Sequence, residues 1–91
     1  MPMLTVLIKV DPEHVVHALQ EAAEKLESAQ GELVVDFSAV QRIDPPSLCA
    51  MEKLAGAAES KAVKIALRGV NVDIYKVLKL AKLAPRFSFL P

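Results

Sequence analysis

Residues 34–48, Val-Val-Asp-Phe-Ser-Ala-Val-Gln-Arg-Ile-Asp-Pro-Pro-Ser-Leu, constrain the fold more than any other stretch of this chain. A short apolar run ends on Asp36, a tight connection follows, and Asp44 stands directly before a segment with helical apolar spacing. The run at residues 33–35 is continuously apolar, as expected for a strand covered on both faces. Asp44 has the side chain of a helix cap, able to accept hydrogen bonds from the free N–H groups of a first turn. Pro45 and Pro46 add the fixed φ that such a turn requires.

The rest of the chain repeats this alternation. Residues 4–10 are rich in β-branched side chains and predict a strand. Asp11 and Pro12 then read as the cap and first position of a helix carrying Val15, Val16, Leu19, Ala22, Ala23 and Leu26 on one stripe. Gly31 reads as the C-cap that ends it. The helix after Asp44 carries Leu48, Met51, Leu54, Ala55 and Ala58. Residues 64–68 predict a third strand ending at Gly69. Asn71 then caps a last helix that buries Ile74, Val77, Leu78 and Ala81. Pro85 stops that helix, and residues 86–90 form a short edge strand. The order β-α-β-α-β-α-β predicts a small α/β domain over residues 1–91, with a mainly parallel mixed sheet of about four strands, three main helices and right-handed crossovers.

Length and charge narrow the function. Ninety-one residues leave no room for a second core. The one cysteine excludes an internal disulfide and fits a reducing compartment. Residues 1–10 lack a cleavage-site pattern, and no apolar run approaches the ~18 residues of a membrane span. The expected location is the cytoplasm. Net charge is zero, but residues 1–60 carry four basic side chains against ten acids, and residues 61–91 carry seven against Asp73 alone. These opposite faces pair within the fold or between protomers, which leaves a homodimer open, or they steer a charged partner. Basic residues without interleaved aromatics or glycines do not describe a nucleic-acid surface.

The residues of 34–48 resemble the core of the STAS family, the domain of anti-sigma-factor antagonists and of sulfate-transporter tails. In that family the strand end reads roughly Asp-Leu-Ser, matched here by Asp36, Phe37 and Ser38. The family's helix start reads Asp-Ser-Ser-Gly-Leu or a close variant, and Ile43, Asp44 and Leu48 keep its frame. Residues 69–78 are similar to the family's pattern ahead of its last helices. The resemblance covers roughly residues 32–90, whereas the family opens with two strands where this chain has room for one. It implies a non-enzymatic protein-interaction domain in transcriptional regulation or signalling, docking a serine-kinase anti-sigma factor through residues 38–53. Asp36, Ser38, Asp44, Pro45, Pro46, Ser47 and Lys53 would form that surface. An alternative implied role is that of a STAS accessory subunit bound to the ATPase subunit of a lipid ABC transporter; a nucleotide- or lipid-responsive domain is a third. The family's usual phosphorylated serine falls at Pro46, so the phosphorylation switch is expected to be missing. Ser47 is the remaining candidate hydroxyl.

Other chemistry is sparse. His14 and His17 are three apart on the first helix, but no further metal ligands accompany them. Cys49 reads as a small buried residue, without the partners of a thiol nucleophile. Gly31, Gly56 and Gly69 are too few and too scattered for a phosphate-binding loop. No catalytic constellation, metal site or cofactor site is expected.

Overall fold

The computed structural model describes residues 6–29 and 31–90. The chain runs β1 (Val6–Lys9), α1 (Val15–Lys25), β2 (Glu32–Asp36), α2 (Pro45–Ser60), β3 (Lys64–Arg68), α3 (Val72–Leu80), a 3-10 turn (Ala84–Arg86) and β4 (Ser88–Leu90). The alternating order holds. The first two residues of the expected initial strand, Leu4 and Thr5, lie outside the described residues.

The sheet has the order β1-β2-β3-β4, and among the described residues every pair is parallel, where a mainly parallel mixed sheet was expected. With strands laid down in sequence order, right-handed crossovers carry every helix to the same face. Ile8, Leu33, Val35, Ile65 and Leu67 line that face and join Leu19, Met51, Leu54, Ile74 and Leu78 in one core. Leu7, Val34, Ala66 and Ser88 form a row on the other face. Val34 and Ala66 on this face are buried too, as the continuous apolar run of β2 leads one to expect, while edge residue Leu7 is 53% exposed.

Helix ends account for the other corrections. Asp11 does not cap α1, whose N-cap position is His14, with no side-chain hydrogen bond to the helix's free N–H groups. At the other end α1 closes at Lys25 in a turn, with the N–H groups of Ser28 and Ala29 bonded to the Lys25 carbonyl. Gly31 sits beyond that turn at φ +98° and leads into β2, so it is not the helix cap. The last two helices end in Schellman turns. Val63 donates to the Ala58 carbonyl and Leu83 to that of Leu78, with Ala62 and Lys82 at positive φ. The turn at Lys82 ends α3, while Pro85 belongs to the following 3-10 turn. Ala81, expected in the core, is exposed at the C-cap.

Candidate functional site

The connection from β2 to α2 crosses the carboxyl end of the sheet, the end where open α/β domains place their functional loops. Its first fixed point is Asp36. The Asp36 Oδ1 accepts hydrogen bonds from the Ser38 hydroxyl at 2.6 Å and the Ser38 N–H at 2.8 Å. These two bonds, with Arg68 and Lys9 nearby, hold the Asp36 carboxyl below the usual carboxylate range. Gly69, at φ +70°, lies against Ser38 so closely that an added Cβ would stand 2.7 Å from the Ser38 Cβ. The loop thus starts clamped between a carboxylate and the backbone after β3. Farther along, the Asn71 side chain donates to the Gln41 carbonyl at 3.1 Å, tying the loop to the start of α3.

The second fixed point is Asp44. Its backbone is extended and its Oδ1 accepts from the Ser47 N–H at 2.9 Å, the bond of an N-cap. Hydrogen bonds from the Ser47 side chain and N–H hold the Asp44 carboxyl below its ordinary value. Pro45 and Pro46 occupy the first two helical positions and leave no N–H there. Ser47 is 3% exposed, the one polar residue buried among the described residues.

The expected site residues do not share one depression. Asp44 and Ser47 line a cleft with His14, His17, Gln20 and Arg42, between the starts of α1 and α2. Pro46 and Lys53 border a separate groove of about 260 Å³ with Val16, Leu19, Ala23 and Ala50. Asp36 and Ser38 stand apart from both. Arg42, Val16 and Gln20 were not anticipated at the surface; nothing in a single sequence pairs α1 with the start of α2. Cys49 was expected inside, but it is exposed on the rim of the α1–α2 groove. On α2 it lies between Leu48 and Ala50, both only half-buried, so the burying stripe passes it by.

His14 is held by Asp11, with its Nδ1 3.2 Å from the Asp11 Oδ2. No group of three or more His, Cys, Asp or Glu side chains suited to a metal ion occurs among the described residues. No described helix is long and apolar enough to cross a membrane.

Known proteins match this architecture. The crystal structure of a Thermotoga maritima protein, TM1081, described as a candidate anti-sigma factor antagonist, superposes with a TM-score of 0.74 at 19% identity. That match covers 97% of this chain and 81% of the other. The NMR structure of TM1081 gives a TM-score of 0.73 at 19% identity, covering 94% of this chain and 73% of the other. At that identity the likeness speaks for the fold. No curated protein is significantly similar in sequence. The sequence profile of the STAS_2 family (Mlab, STAS domain) matches residues 3–88, which extends the likeness through the N-terminal third that had fitted least well. The chain belongs to the STAS_2 family of STAS domains.

Proposed function

We propose that this STAS domain is a non-enzymatic, constitutive docking module that binds a partner protein through the β2–α2 connection and the exposed side of α2. Asp36, Ser38, Asp44, Pro45, Pro46, Ser47 and Lys53 carry or shape that surface. The observation behind this reading is the start of α2. Two prolines and a capping carboxylate make the turn rigid, and its one hydroxyl belongs to Ser47, which is only 3% exposed. A phosphate gains its purchase at a helix start from free N–H groups and the helix dipole. Here two N–H groups are missing, and that of Ser47 is bonded to Asp44.

A serine-kinase anti-sigma factor is the first partner class. The ATPase subunit of a lipid ABC transporter is the second, favoured by the same turn, because a permanent subunit has no need of a release switch. Either partner places the domain in the cytoplasm. Purified candidates of both classes, titrated against the wild type, Lys53→Glu and Ser47→Glu, test the reading. Capture by one class, weakened by both variants with the melting temperature of Lys53→Glu unchanged, supports it. Equal binding by all three proteins removes α2 from the interface.

A further inference from the structure

The basic C-terminal third divides on folding. Lys61 pairs with Glu27 at 3.2 Å, and Arg86 with Glu59 at 2.8 Å. Lys64 and Arg68 stand in register beside Glu32 and Asp36 on the open face of the sheet. Among the described residues neither of these two is within salt-bridge distance of an acid, and nor are Lys76, Lys79 and Lys82 on α3 and its C-terminal turn, where Asp73, three residues before Lys76, is the one acid. Three cations against one acid thus cluster on α3 and the turn that ends it.

That helix also exposes apolar side chains. Ile74 and Leu78 point into the core, which turns Lys76 to the solvent side with Val72 and Leu80 on its flanks. Val72 is 68% exposed and Leu80 is 85% exposed. They are two turns apart, about 12 Å along the axis. At the border of this face Tyr75 meets Phe89 edge-on, with ring centroids 5.1 Å apart. These rings, with Val70 and Leu90, shape a shallow depression of about 220 Å³.

We infer that the solvent face of α3 is a second docking surface, which receives an acidic amphipathic helix of a partner protein. Its complement must bring apolar side chains about two turns apart and carboxylates around them, since paired charges across an interface direct orientation and exclude wrong partners. The chain's own acidic helix does not fit. The outward side of α1 carries His17, Gln20, Glu21 and Glu24 and offers no apolar side chain to Val72 or Leu80. A flat lipid surface fits less well than a helix, because Lys76 lies between the two apolar side chains and would be pressed into hydrocarbon with them. A helix can straddle it. This surface does not depend on the role proposed for α2.

The full chain, labelled for amide NMR, is titrated with a synthetic helix of about four turns bearing leucines at i, i+4 and i+7 with glutamates elsewhere. Shifts are expected to concentrate on α3 and β4. K76E/K79E should weaken binding at least about tenfold and Leu80→Ser at least about threefold, with the fold retained in both. Raising salt from about 0.15 to 1 M shortens the screening length from about 8 to 3 Å and should weaken binding severalfold. Four results would overturn the inference: absent shifts, K76E/K79E binding like the wild type, equal affinity for polyglutamate of the same length, or binding only to phosphatidylglycerol vesicles. The last would assign the face to a membrane surface.

Discussion

Asp11-Pro12 lies between β1 and α1 and Asp44-Pro45 between β2 and the body of α2, and the two pairs fold differently. The Asp11 Oδ1 accepts from the N–H two residues on, that of Glu13, and its carbonyl accepts from His14. A closed turn results, and α1 begins only at Val15. The Asp44 Oδ1 accepts from the N–H three residues on, that of Ser47, and α2 begins at once. The difference lies at the position two residues after the aspartate. Glu13 has an N–H to give; Pro46 has none. With the nearer donor removed, the carboxylate reaches the donor that belongs to a helix cap. Pro46, the second proline, is thus the residue that fixes the helix start.

The contrast between a clamped connection and a loose one can be tested by substitution. Gly69→Ala should have the largest effect, because the new Cβ would meet the Ser38 backbone at 2.8 Å. We expect a loss of more than about 2 kcal/mol in urea unfolding, together with disturbed Ser38 and Asp36 signals. Gly31 has a positive φ but open space around it, so Gly31→Ala should cost only about 1 kcal/mol. Equal costs would mean that the close approach to Ser38 is not rigid. Next, Asp44→Ala should lower the melting temperature by about 5 °C and Asp11→Ala by less than about 2 °C, since only the first removes a helix cap.

Pro46→Ala should change stability by less than about 1 kcal/mol while restoring the nearer N–H. Asp44 would then divide its bonds as Asp11 does, and the Ser47 amide should exchange faster with solvent. Unchanged protection would contradict the proline explanation. The smallest effect concerns pH. Asp44 has a lowered folded-state pKa, so its contribution to stability is complete above the unfolded value of about 3.9 and is lost as pH falls through the lower folded one. Asp44→Asn keeps a capping side chain without that titration. Its stability should be close to wild type at pH 7 and fall less steeply below about pH 4.

Much of the fold was legible because local signals and burial agreed. The runs of β2 and β3, the cap at Asp44 and the cap at Asn71, whose Oδ1 accepts from the Ile74 N–H at 2.8 Å, all appear in residue type and spacing. What was illegible depended on long-range geometry or on residues that give no signal. Ala62 and Lys82 end helices at positive φ without being glycine, so Pro85 took the blame for a stop made at Lys82. Asp11-Pro12 carried the helix-start signal of Asp44-Pro45, and only the donor at Glu13 separates them. In the site, Asp36, Ser38 and Asp44 were visible as strand end and helix start. That His14 and Gln20 line one cleft with Ser47 was not, because it follows from packing α1 against α2. Nor was the pairing of Lys61 with Glu27 and of Arg86 with Glu59, which leaves Lys76 and Lys79 on α3 and Lys82 on its turn outside any salt bridge among the described residues.

The most direct test is intact-mass analysis after incubation with ATP and a purified serine-kinase anti-sigma factor that binds the domain. We predict an unchanged mass and an undiminished complex, because the one hydroxyl at the start of α2, that of Ser47, belongs to a residue only 3% exposed. A stoichiometric phosphate mapped to Ser47, with release of the partner, would contradict the constitutive docking proposed for this domain.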